Sequence, residues 1–230
     1  MNIKFPWLHE KEIEAQAMDV LRQYSGRCGL TLRPPIPVDD LPEELLQVRL
    51  EYDDLCKVVG RDDVLGAIWF DKREIYIDQS LDPTDHPHRR SRYRFTVAHE
   101  IGHWVLHRRI VLDRAAQLTF PDFLFEDESP ETSILCREAN AREPVEWQAD
   151  RFASYLLMPT ELVLQTWKKV RGQSAPWVFD QATYRAAAAN GLTGPYDEVA
   201  RTMMRHVASD LAPKFEVSVE AMQIRLEDMA

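Results

Sequence analysis

The chain has 230 residues, 28 Lys plus Arg against 38 Asp plus Glu, a formal net charge of −10 and 45% hydrophobic residues. That length and apolar content describe one compact globular domain with at most a small appendage, and the acidic balance argues against a broad phosphate-binding surface, which needs a basic face. No run of about 18 apolar residues occurs, and Pro6 followed by charges interrupts the N-terminal apolar residues, so neither a membrane span nor a signal peptide fits and a cytoplasmic location is expected.

From His9 to Tyr24 the apolar residues Ile13, Ala17, Val20, Leu21 and Tyr24 recur at helical spacing, which predicts an amphipathic helix with one buried face. A proline-stiffened stretch then leads to a short helix with Asp39 or Asp40 as N-cap. Val48 to Tyr52, Leu65 to Phe70 and Glu74 to Asp78 are short β-rich segments, the last two joined by a charged Asp71-Lys72-Arg73 turn. They predict a small antiparallel sheet with a hairpin, whose last strand could pair with an extended substrate alongside Trp69 or Tyr76. Phe95 to Ile110 reads as a helix, and the stretch from Leu118 to Pro130 as an acidic, aromatic loop. A helix opened by Pro144 and another near Leu162 to Val170 follow. The segment from Tyr196 to Met229 is expected to be helical, broken near Pro213, with a helix-turn-helix rhythm and Ser218 capping its last helix. Cys28, Cys56 and Cys136 are an odd number without CxxC spacing, which suits reduced thiols.

The chemistry sits in His99-Glu100-Ile101-Gly102-His103, an H-E-x-x-H sequence. Residues four apart on a helix share a face, so both imidazoles can reach one Zn²⁺, and Glu100, about 100° round the helix, can act on a water without ligating the metal. His107 is two turns from His99, about 12 Å along the axis, too far to share that ion, and is expected to pack or cap near the helix end. Arg109 stands where a metzincin would place its third His. Glu146 is the better third ligand. Glu146, Ala149, Asp150, Ala153, Leu156 and Leu157 share one helical face, so two carboxylates point with an apolar stripe toward the core, where they need a cation or a donor. Asp150, one turn on, is assigned to orient a ligand His. The alternative of a solvated acidic helix start applies better to Glu143. Tyr155, Tyr93, Arg137 and His206 are candidates for a second electrophile, each with a structural explanation as well.

These residues resemble the ImmA/IrrE family of metallo-endopeptidases, through Arg94 to His107, Leu135 to Arg137 and Glu146 to Pro159, with further similarity near both ends of the chain. The resemblance implies an α+β, zincin-like minimal metallopeptidase core with a small antiparallel sheet, an HExxH helix and a Glu-bearing second helix, plus a helical C-terminal tail. It implies one Zn²⁺ on His99, His103 and Glu146, with Glu100 as general base. It also implies cleavage of a helix-turn-helix repressor, or pairing with one as toxin and antitoxin. The expected organisation is a peptidase domain over 1–195 and a helix-turn-helix-like tail over 196–230 packed on it.

The competing reading is a non-catalytic zinc-binding regulatory module that binds a repressor or DNA through its C-terminal helices. Charge weighs against DNA. From Tyr196 onward four basic residues face seven acidic ones, and Arg225 is the one base of the would-be recognition helix. The cluster Arg89, Arg90, Arg92 and Arg94 is expected to face solvent or an acidic partner. A protein partner is therefore expected, with no direct nucleic-acid or membrane binding.

Overall fold

The computed structural model describes residues 5–60, 63–118, 133–137, 143–172 and 179–229. Residues 119–130, most of the expected acidic loop, and the side chain of Arg137 lie outside the described set. The chain forms two compact units, one of residues 1–32 with 36–157 and one of residues 33–35 with 158–230. The tail expected over 196–230 lies within the second unit, together with the residues from Met158 onward.

In the first unit, α1 (Glu10–Cys28) buries the face read from its periodicity, Ile13, Ala17, Val20, Leu21 and Tyr24. Gly29 closes it in the left-handed region at φ 64°. The expected short helix is a π-helical turn over Leu41–Leu46. Asp40 precedes it but does not cap it with its side chain, because its carboxylate accepts a 2.9 Å bond from the Tyr24 hydroxyl.

The sheet corrects one expectation, since it is mixed and not antiparallel. Strand β1 (Arg49–Asp53) is followed by the short helix α2 (Leu55–Val59), then by β2 (Val64–Trp69) and β3 (Glu74–Asp78). With β4 (Ser133–Arg137) the order is β1-β3-β2-β4. Helix α2 turns the chain back so that β2 runs opposite to β1 with room for one strand between them. The hairpin return of β3 fills that gap, which makes β3 antiparallel to β2 and parallel to β1. β3 is thus paired on both sides and is no free edge for a substrate. Ala67 opposes Tyr76 across the hairpin, and Tyr76 and Trp69 meet edge to face at 5.1 Å over Leu55, Val64 and Ala67. That aromatic pair is core packing on one side of the sheet.

The other side receives the long helix α3 (Arg90–Leu118). Arg94 near its start is buried, its Nη2 donating to the Ile36 carbonyl at 2.6 Å, so this member of the basic cluster is structural and does not face solvent. Helix α4 (Pro144–Leu157) packs on α3 at close range. Ala149 and Ala153 are fully buried, and a Cβ on Gly102 would meet the Ala149 backbone and Phe152 at 3.2 Å. Small residues on both helices set this approach.

The second unit holds α5 (Thr160–Arg171), α6 (Gln181–Ala189), α7 (Tyr196–Phe215) and α8 (Val219–Asp228). Helix α7 runs through Pro213 and ends two residues later, before Glu216 at φ 53°. In the final turn a proline removes a single ladder bond, to the Ser209 carbonyl, and does not break the helix there. Ser218 caps α8, accepting from the Ala221 amide at 3.0 Å. Arg225 is buried, donating to the Met158 carbonyl at 3.1 Å and to the Thr160 hydroxyl at 2.7 Å. No described helix is long and apolar enough to cross a membrane.

Candidate metal centre

One turn of α3 places the Nε2 atoms of His99 and His103 2.9 Å apart. Glu146, in the first turn of α4, puts Oε2 3.2 Å from His99 Nε2 and Oε1 3.5 Å from His103 Nε2. All three side chains are buried. A tetrahedral Zn²⁺ with bonds of about 2.0–2.1 Å has ligand–ligand edges of about 3.3 Å, so these separations, the last two to different Glu146 oxygens, bring the three side chains within reach of one ion, and the donor set of two imidazoles and a carboxylate fits it. Among the described residues this is the one group of three His, Cys, Asp or Glu ligand atoms this close together.

The outward nitrogens support this fit. His99 Nδ1 lies 2.8 Å from Asp150 Oδ1, where the sequence places Asp150. A nitrogen beside a carboxylate carries the proton, so the His99 Nε2 lone pair faces inward, toward Glu146. Burial raises the Glu146 carboxyl, but the neighbouring His103 and His99 outweigh it and hold the group ionised, at about 2. Acceptors therefore converge on one point, an arrangement that a cation, or failing that a shared proton, relieves.

Glu100 is fully buried, and neither of its oxygens has a hydrogen-bond partner among the described residues. Burial pushes its carboxyl up to about 8, His99 opposing and the Glu146 charge adding to the rise. Strand β2 makes room for it. A Cβ on Gly66 would lie 2.5 Å from Glu100 Oε1 and 2.7 Å from Thr96 Cγ2, so only glycine lets the sheet come this near the carboxylate.

Two residues that the spacing argument did not assign to the centre join it. His107 is buried, its Nδ1 3.0 Å from His103 Nδ1 and its Nε2 3.0 Å from Gln148 Oε1. Burial, with neighbouring His103, pushes it down to about 3 and keeps the ring neutral. The signal was present, since His103 and His107 repeat the four-residue spacing of His99 and His103. Gln148, fully buried beside Glu146, carried no such signal. Of the electrophile candidates, the Tyr155 hydroxyl donates to Glu10 at 3.4 Å and the Tyr93 and Tyr52 hydroxyls pair at 2.7 Å, while His206 is an exposed residue of the second unit.

Residues 68–176 match a peptidase family model described as the IrrE N-terminal-like domain. That match supports membership of the ImmA/IrrE family. The match starts inside β2 and ends past α5, so it takes in His99, Glu100, His103, Glu146 and Asp150, while α1 and α6 to α8 lie outside it. No curated protein matches the chain. The family is one of metallopeptidases, and the buried His-His-Glu group is compatible with the metal such an activity requires.

Proposed function

We propose that this ImmA/IrrE-family protein is a zinc-dependent endopeptidase of the cytoplasm that cleaves a protein partner, a helix-turn-helix repressor or antitoxin. The observation that carries the reading is a fully buried carboxylate, Glu100, with no partner for either oxygen among the described residues, on the same helical turn as two histidines that share one point with Glu146. A buried acid with no structural use is expensive to keep, at about 1–3 kcal/mol or more, and a proton-transfer role accounts for it.

His99, His103 and Glu146 would hold the ion, which when bound lowers the pKa of a coordinated water and polarises the scissile carbonyl. The remaining work falls to this chain's residues. Asp150 Oδ1 accepts from His99 Nδ1–H and keeps the opposite nitrogen on the ligand point. A Glu100 oxygen takes the proton of the attacking water and passes it to the leaving amine nitrogen. Gly66 leaves that carboxylate free to do both.

The acidic C-terminal segment and the burial of Arg225 favour a protein over DNA as the partner. The test is capture with a Glu100→Gln variant, which keeps the ligands and removes the base. Partners identified by mass spectrometry are then incubated with wild-type protein and zinc. The expected result is cleavage of a captured helix-turn-helix protein at a defined bond, blocked by a chelator and restored by zinc. Captured partners that wild-type protein leaves intact would favour the sequestering module instead.

A further inference from the structure

We propose that His107, Gln148 and the carbonyl of Pro6 form a positioning relay that fixes the protonation geometry of His103 and makes the segment at Phe5–Pro6 part of the metal site. The inference rests on the metal reading above and deepens it.

One end of this chain of contacts, at Pro6, has no freedom of direction. Gln148 Nε2 lies 2.9 Å from the Pro6 carbonyl oxygen. A carbonyl can only accept, so Gln148 must turn its NH₂ toward Pro6 and therefore its oxygen toward His107. That oxygen, 3.0 Å from His107 Nε2, can only accept as well, so His107 carries its proton on Nε2. His107 is 1% exposed, and each of its ring nitrogens has one partner, Gln148 Oε1 for Nε2 and His103 Nδ1 for Nδ1. A neutral ring protonated on Nε2 leaves Nδ1 as an acceptor, and the group 3.0 Å from it is His103 Nδ1. His103 therefore donates from Nδ1, and its Nε2 lone pair is left facing His99 Nε2 and Glu146. Three hydrogen bonds, each with one direction, run from a backbone carbonyl to the ring whose other nitrogen faces the metal site.

The anchor is held in place on both sides. The Phe5 ring meets the His107 ring edge to face at 5.0 Å, and Trp7 stacks on Trp147 at 4.7 Å with planes 14° apart. Trp147 lies between Glu146 and Gln148 on α4, so the same short segment of chain touches the helix that carries the third ligand. His99 has a different backing, a carboxylate on its Nδ1. The relay gives His103 the same tautomer without placing a second negative charge in the core.

The test reads protons and metal separately. Long-range ¹⁵N NMR of the full chain, with and without zinc, should show His107 neutral with its proton on Nε2 in both states. A proton on Nδ1, or on both nitrogens, would overturn the relay. Zinc affinity measured by competition with a chromophoric chelator should fall about 10- to 100-fold in Gln148→Leu and in His107→Phe, with Gln148→Asn restoring less than half of the loss because its shorter arm cannot span both contacts. Unchanged affinity in both apolar variants would also overturn it. Should wild-type protein take up no zinc, the metal reading falls, and the His107 tautomer in the metal-free protein still decides the relay.

Discussion

Two regions of this sequence advertise function, the HExxH segment in the first unit and the helix-turn-helix-like tail in the second, and the structure treats their buried polar groups in opposite ways. In the tail, buried Arg225 sits under a carbonyl and a hydroxyl that accept its protons, and the exposed Ser218 hydroxyl is taken up by a helix cap. Those groups hold α8 in its unit and leave nothing over. On α3 and α4, His99, His103 and Glu146 turn acceptors toward one point, while Glu100 keeps two oxygens without a partner among the described residues. For these two regions the contrast separates a satisfied buried cation, which is scaffold, from an open carboxylate beside convergent ligands, which marks a site.

The largest effect that could break this contrast comes from the open side. A His99→Ala/His103→Ala double variant should lose its zinc entirely, as measured by metal analysis after dialysis against apo-buffer. Stoichiometric zinc in that variant would show that the convergent acceptors are not the ligands. Glu100→Gln should come next, keeping its metal while kcat on a verified substrate drops about 10²- to 10⁴-fold, because the amide matches the carboxylate in shape but cannot take a proton. A near wild-type rate would make Glu100 a structural oddity and remove the proposed base.

The satisfied side predicts a smaller and differently placed loss. Arg225→Met keeps the aliphatic stem but leaves the Met158 carbonyl and Thr160 hydroxyl without their donor. Denaturant unfolding should register about 1–3 kcal/mol of destabilisation, with zinc affinity unchanged. Sequence-specific binding of duplex DNA by the wild-type protein at about 150 mM salt, lost in Arg225→Met, would overturn the scaffold assignment of the tail.

The legible parts of the molecule were those governed by one-dimensional spacing. The buried face of α1, the shared face of His99 and His103, and the meeting of Glu146 and Asp150 with α3 all follow from a 3.6-residue period plus the cost of burying charge. What escaped depended on contacts distant in sequence. The parallel β1–β3 pair arises because a hairpin fills a gap opened by α2, and nothing in Val48 to Tyr52 encodes which side of the sheet it joins. Helix α6 was missed because its run of alanines has no apolar rhythm, although Asp180 caps it through Thr183. Gly66 reads as an ordinary weak point in a strand until Glu100 is seen against it. Gln148 acquires meaning only through Pro6, more than 140 residues earlier.

The finest effect concerns the energy stored in Glu100, and it requires no substrate. An ordinary glutamate titrates near 4.5, and burial moves this one to about 8. Between those values the folded protein holds a proton that the unfolded chain has released. Raising pH across that window therefore costs folded-state stability, by up to about 1.4 kcal/mol per pH unit. His103 and His107 work the other way. Burial keeps both below the usual histidine value, so the unfolded chain binds protons that they refuse, and they add stability as pH rises toward about 6.5. The two trends overlap in the wild-type curve, but subtracting the curve of Glu100→Gln, which retains both histidines, isolates the carboxyl. The stability of metal-free wild-type protein relative to Glu100→Gln should thus decline steadily from pH 5 to about pH 8. Zinc should flatten that decline, since a nearby cation favours the ionised acid. A difference that is level across this range in the metal-free protein would mean that Glu100 finds a partner in solution, and the contrast between an open site and a satisfied scaffold would lose its central residue.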